Sequence, residues 1–235
     1  MQYYFAINNE LELLDSDKHH IINVMRMNKG DHIIIIYDGF YNECIIESIN
    51  SKEVIYKVIN SYSKKSNDIN IVMAIPLIKE QRFDYMIQKI TEIGVSKIIP
   101  YKTERSIIKI NDKDWEKKKE RYCRIVKEAS EQCHRANIPI IDNLRDIDYL
   151  INNKCNLNIL FTVNEVSRNI KEVFKNNNKY DTLLLVIGPE GGFSKFEEDK
   201  FVTNGFISTS LNENVLRSET AAVYVMSVVD YNNLR

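Results

Sequence analysis

The chain has 235 residues and 27.6 kDa, enough for one large domain or two modest ones whose core needs no disulfide or metal. Hydrophobic residues make up 44% and charged residues 28%, a globular balance that excludes a disordered or fibrous chain. A net charge of −1 gives no global sign of a nucleic-acid binder, yet the charge is uneven. Residues 1–66 carry seven Lys/Arg against nine Asp/Glu, whereas residues 101–135 carry eleven against seven.

No stretch approaches the ~18 to 20 apolar residues a membrane helix needs. Glu10, Glu12 and Asp15 interrupt the region where a secretory signal would be apolar, which predicts a chain that is not exported. Cys44, Cys123, Cys133 and Cys155 form no CxxC pair, and His19, His20, His32 and His134 lack ligand spacing. Reduced thiols, a cytoplasmic location and no metal site are expected.

In chain order, residues 17–25 predict a short helix capped by Ser16 or Asp17. Strand-like segments follow at 33–37, 44–49 and 54–59, separated by the turns Asp38-Gly39 and Asn50-Ser51-Lys52. Such spacing suggests a small barrel or sandwich. The polar stretch 61–70 reads as a linker. Beyond it strands and helices alternate: strands at 71–75, 95–100, 138–141, 157–162, 183–187 and 206–208, and helices at 83–93, 114–135, 144–151, 168–175, 194–201 and 219–231. Gly94 fits a helix C-cap, and Ser194 with Glu197 fits a capping box. Continuous apolar strands between helices predict a parallel sheet covered on both faces. The expected architecture is a small β domain, 1–68, followed by an α/β domain, 69–235.

In such α/β sheets ligands bind beyond the carboxyl ends of the strands. Two loops qualify. Three of only seven glycines fall in Gly188-Pro189-Glu190-Gly191-Gly192, directly after an apolar strand. Glycines there let a ligand approach the backbone. The pattern is neither GxGxxG nor GxxxxGK[ST], and Glu190 suits a phosphate badly, so a neutral or cationic ligand fits better. A plain strand-to-helix turn explains Gly191 and Gly192 but not Gly188. The second loop, 210–218, carries Arg217, which offers paired donors or a salt bridge to Glu213 or Glu219. Ser218 reads as an N-cap. Trp115 and Tyr122, at helical spacing, read as core. The run Lys117-Lys118-Lys119 reads either as a solvated helix face or as an RNA-facing surface.

Gly188-Pro189-Glu190-Gly191-Gly192 followed by Val215-Leu216-Arg217-Ser218-Glu219-Thr220-Ala221 resembles the ribosomal RNA small-subunit methyltransferase E family. The resemblance extends along the chain through His20–Asp31 with Asp38-Gly39, Lys79 with Ile87–Val95, Glu104-Arg105-Ser106, and Glu128–Pro139. It implies an N-terminal PUA-like β-barrel and an α/β SPOUT domain tied in a C-terminal trefoil knot. It further implies methyl transfer from S-adenosylmethionine to N3 of a uridine in 16S rRNA of the small ribosomal subunit, by a homodimer.

By the same resemblance the cofactor lies against Thr162, Ile187, Gly188, Glu190, Gly191, Gly192, Leu211, Asn212, Val215, Leu216, Thr220 and Ala221. Arg217 is the expected catalytic residue, and the proton acceptor stays unassigned between Glu219 and other groups. RNA contacts are expected from Arg26, Lys79, Lys89, Arg105, Arg124 and Arg135. The family usually has glycine where Asn212 stands and a basic residue where Asn214 stands; asparagine is expected to adopt the left-handed conformation in glycine's place. Two rivals stay open: a SPOUT enzyme acting on tRNA or a ribose oxygen, and a non-enzymatic RNA-binding module.

Overall fold

The computed structural model describes residues 1–64, 69–106, 108, 110–177 and 179–233. The chain forms two compact units, Met1–Ser66 with Lys127–Ile138, and Asn67–Val126 with Pro139–Arg235.

The first unit is built on one four-stranded sheet, β1 (Gln2–Phe5), β2 (His32–Tyr37), β3 (Phe40–Ile49) and β4 (Val54–Ser63), paired in that order. Strands β1 and β2 run parallel, and the other pairs are antiparallel. Asp38 and Gly39 join β2 to β3 with φ of 46° and 78°, the two positive values a two-residue primed turn requires. Asn50 turns the next hairpin by accepting the amides of Lys52 (2.9 Å) and Glu53 (2.8 Å). Strand β4 runs on to Ser63, so the expected linker 61–70 begins as sheet; residues 65–68 lie outside the described residues.

The run Ile33–Ile36 is buried on both faces, so both need apolar cover. Ile33 and Ile35 pack with Leu13, Ile21 and Ile46. Ile34 and Ile36 pack with Phe5 and Tyr41, and Ala136 and Ile138 lie against that cluster. This cover explains why Lys127–Ile138 clusters with the first unit rather than with the segments around it in sequence.

The helix expected at 17–25 differs in start and form. Helix α1 (Asp15–His19) opens at Leu14 with no side-chain cap and passes into a π-helical turn, His20–Val24. Asp17 does not cap because its buried carboxylate accepts from Lys127 Nζ at 2.7 Å.

The second unit is a six-stranded, wholly parallel sheet. Its strands are β5 (Asn70–Pro76), β6 (Lys97–Tyr101), β7 (Ile140–Ile141), β8 (Leu157–Phe161), β9 (Thr182–Ile187) and β10 (Ile207–Thr209). The spatial order is β10-β8-β9-β5-β6-β7. The helices are α2 (Glu80–Ile93), α3 (Asp112–Gln132, of which the residues from Lys127 on belong to the first unit), α4 (Ile147–Asn152), α5 (Ile170–Asn176), α6 (Lys195–Thr203) and α7 (Ser218–Asn233).

Both faces of the sheet are covered. Val72, Ala74, Leu184 and Val186 pack with Leu150 of α4 and Phe201 of α6, while α7 packs against α2, β5 and β9. Gly94 ends α2 at φ 113°, and α6 opens with the full capping box of Ser194 and Glu197. Trp115 and Tyr122 are buried, with Tyr122 4.6 Å from the Phe83 ring, as core residues.

Candidate functional site

The chain lays β5, β6 and β7 outward in one direction and then returns to place β8, β9 and β10 on the other side. The switch leaves the carboxyl ends of β8, β9 and β10 adjacent, where an open α/β sheet forms its ligand crevice. A cavity of about 1110 Å³ lies there, lined by the segments after these three strands and by the start of α7.

The loop after β9 is shaped by its glycines. A Cβ on Gly188 would lie 3.2 Å from Cε2 of Phe193 and 3.3 Å from the Phe161 carbonyl oxygen, so only glycine fits without displacing both. Gly192 adopts φ +66°, and its amide closes a turn onto the Pro189 carbonyl at 2.9 Å. The loop carbonyls are held from outside. Tyr101, fully buried with its pKa raised well above normal by that burial, donates to the Ile187 carbonyl at 2.6 Å. Arg105 Nη1 donates to the carbonyls of Gly191 (3.3 Å) and Phe193 (3.1 Å). Ser218 Oγ donates to the Gly188 carbonyl at 2.8 Å. Ser218 therefore ties α7 to the glycine loop instead of serving as the expected N-cap.

The segment after β8 is fixed by a buried carboxylate. Glu198 accepts from Thr162 Oγ1 and from Asn164 Nδ2, the latter at 2.8 Å. Charged residues lining the cavity are Glu165, Glu190, Glu213 and Arg105. The Ser167 hydroxyl and amide, with the Arg168 amide, donate to Glu165 and lower its pKa, keeping it ionised. Arg82 of α2 contacts Glu190 at 2.6 Å and Glu219 at 3.7 Å. With Arg105 committed to carbonyls, the lining favours a cation over an anion.

Eleven of the twelve expected cofactor residues line this cavity: Thr162, Ile187, Gly188, Glu190, Gly191, Gly192, Leu211, Asn212, Val215, Leu216 and Ala221. Thr220 does not. Ser218, Ala221 and Tyr224 face the cavity at helical spacing, and Thr220 is exposed off that stripe. Asn212 does not take the left-handed conformation expected of it. Its Oδ1 accepts the Asn214 amide at 3.1 Å, a side-chain turn that replaces the glycine solution. Arg217 is exposed between Leu216 and Ser218, which both line the cavity. Among the described residues it forms no ion pair with Glu213 or Glu219, and Glu219 instead faces Arg82.

The six expected RNA-contact residues divide between the units. In the second unit Lys79 and Arg124 are exposed, Lys89 pairs with Glu92 at 2.8 Å, and Arg105 holds the glycine loop. In the first, Arg26 is exposed at φ 50°, and half-buried Arg135 donates through Nε to the Asn137 carbonyl at 3.1 Å. The lysine run of α3 is partly neutralised: Lys118 pairs with Glu80 at 2.7 Å, and Arg121 with Glu80 and Asp84. Arg82, Glu198 and Tyr101 belong to the site without having been singled out. The one signal for Glu198 was its place next to the capping-box Glu197.

Among the described residues no group of three or more His, Cys, Asp or Glu can hold a metal, and no helix is long and apolar enough to cross a membrane. Residues 64–230 match the RNA methyltransferase domain family, and residues 13–59 the RNA methyltransferase PUA domain. Ribosomal RNA small subunit methyltransferase E of Bacillus subtilis is 33% identical over 221 residues, 91% of this chain and 86% of that protein. A Legionella pneumophila structure with its cofactor SAM bound superposes with a TM-score of 0.91 at 28% identity, covering 98% and 97% of the two chains. The Neisseria gonorrhoeae ribosomal RNA small subunit methyltransferase E shares the fold, with a TM-score of 0.87 at 20% identity and 98% and 97% coverage. The chain belongs to the ribosomal RNA small subunit methyltransferase E family.

Proposed function

We propose that this protein transfers a methyl group from S-adenosylmethionine to N3 of a specific uridine in 16S rRNA. The observation that carries the reading is the cavity itself. It lies beyond the carboxyl ends of three parallel strands, its walls combine glycine-loop backbone, apolar side chains and three carboxylates, and its one arginine is turned onto carbonyls. That chemistry fits a ligand that is cationic and free of phosphate, as the sulfonium cofactor is. Ile187–Gly192, Thr162 and 211–216 would hold it, with Glu198 keeping the Thr162 wall in place.

When bound, the cofactor supplies an electrophilic methyl group; the protein's task is to align the uracil ring with it. Uridine N3 becomes a nucleophile as its proton leaves, and negative charge spreads onto the ring oxygens. Arg217, which among the described residues pairs with no carboxylate, would stabilise that charge with paired donors. Glu219 Oε1 faces Arg82 at 3.7 Å, and no residue is assigned as the proton acceptor.

The reading extends to a SPOUT domain with a trefoil knot, a PUA-like barrel in the first unit, residues 1–68 and 69–235 as domains, and a cytoplasmic homodimer. The insertion of β9 between β8 and β5 and the return of α7 onto β5 and β9 support the knot. The test is incubation with methyl-labelled S-adenosylmethionine and 16S rRNA, naked or in assembled small subunits. Label in the RNA is expected; cofactor binding without any transfer would leave a binding module.

A further inference from the structure

The first unit carries a ladder of rings that runs from one of its core clusters to the surface. Tyr41 is buried and stacks on Tyr62 with centroids 5.4 Å apart and planes 8° apart. Tyr3 meets Tyr41 edge-on at 6.5 Å, and His134 stacks on Tyr3 at 3.7 Å and 20°. The ammonium of Lys64 sits 4.5 Å from the Tyr41 ring centroid.

Core packing accounts for Tyr41 and for half-buried Tyr3 and Tyr62, which pack against its cluster, but His134 and Lys64 are exposed. His134 is held at φ 59° by its place in the chain, and its carbonyl accepts the Tyr41 hydroxyl at 3.0 Å. Burial and the nearby Lys64 charge lower the His134 pKa, so at neutral pH it presents a neutral ring. Among the described residues Lys64 makes no ion pair with a carboxylate.

We propose that His134, Tyr3 and Lys64 seat one nucleotide of single-stranded RNA, the base against the His134–Tyr3 stack and its phosphate on Lys64. The proposal rests on the RNA methyltransferase reading. Flat rings with a solvent-facing member and a cation beside them match the two parts of a nucleotide, a stacking face and an anion. Recognition of RNA by such rings targets unpaired bases, because bases inside a duplex have no free face.

The test is fluorescence anisotropy of the full-length protein with a labelled oligouridylate and with an RNA duplex of equal length, over a range of salt. The single strand is expected to bind more tightly than the duplex. His134→Ala should weaken single-strand binding about 5- to 100-fold, with His134→Phe restoring most of it. Lys64→Ala should reduce the slope of log affinity against log salt by about 0.7, the share of one phosphate on a single strand. Unchanged circular dichroism and thermal unfolding show that the variants are folded. Wild-type affinity and slope in both alanine variants, or a wild type that prefers duplex, would overturn the seat. Methylation of 16S rRNA by the wild type is scored separately: transfer with unaffected variants removes the seat alone, and binding without transfer removes the methyltransferase reading alone.

Discussion

Arg217 is held on a short segment between two cavity-lining residues, Leu216 and Ser218, and Ser218 is anchored to the Gly188 carbonyl. Among the described residues its guanidinium carries no ion pair, so its removal should leave the fold intact. Arg217→Ala is expected to lower kcat about 10²- to 10³-fold with little change in cofactor affinity. Single-turnover methylation beside calorimetry measures both; equal turnover removes Arg217 from the mechanism. Gly188 makes the opposite kind of prediction. Gly188→Ala pushes a methyl against Phe193 and the Phe161 carbonyl, which should cost about 1 to 3 kcal/mol in denaturant unfolding and weaken cofactor binding together. The special role of Gly188 was legible in sequence, because a tight turn accounts for the other two glycines alone. Arg82 was not. Its partner Glu190 lies 108 positions away, and no local pattern encodes that meeting.

At the scale of elements, the parallel strands, the capping box of α6 and the Gly94 stop of α2 were all readable, since each depends on residues within a few positions. Less local devices were not. Strand β7 is only two residues long, and the segment after it is pinned by Asp142. Burial opposes ionisation of Asp142, but hydrogen bonds from Lys97, the Asn143 amide, Arg145 and Tyr149 outweigh it and hold the pKa at about 2. An unfolded aspartate titrates near ~3.9. The native state therefore gains stability from this group above that pH and loses it as pH falls toward 2. Asp142→Asn should remove about 1 to 2 kcal/mol at pH 7, allowing for solvent screening, and should flatten the stability profile between about pH 4 and 2. Urea unfolding across that range checks it; an unchanged profile would show that Asp142 is not the group responsible. The cap expected for the helix at 17–25 failed for a similar reason, since Asp17 is engaged by Lys127.

For the molecule as a whole, the two-part division was legible from the shift between a run of short strands and a strand–helix rhythm. The chain's return to the first unit was not. Ile34 and Ile36 need cover on the face that Ala136 and Ile138 occupy, and a linear reading cannot tell which distant segment supplies it. The cavity depends likewise on a strand order that the sequence does not spell out, although eleven of the twelve residues expected to hold the cofactor converge there. Family membership supports an rRNA methyltransferase, and the proposed reaction has one product. Nucleoside mass spectrometry of 16S rRNA, after incubation with the protein and S-adenosylmethionine, tests the central claim most directly. A single new 3-methyluridine is the predicted result; a ribose-methylated nucleoside, or no new nucleoside in either naked rRNA or assembled subunits, would contradict it.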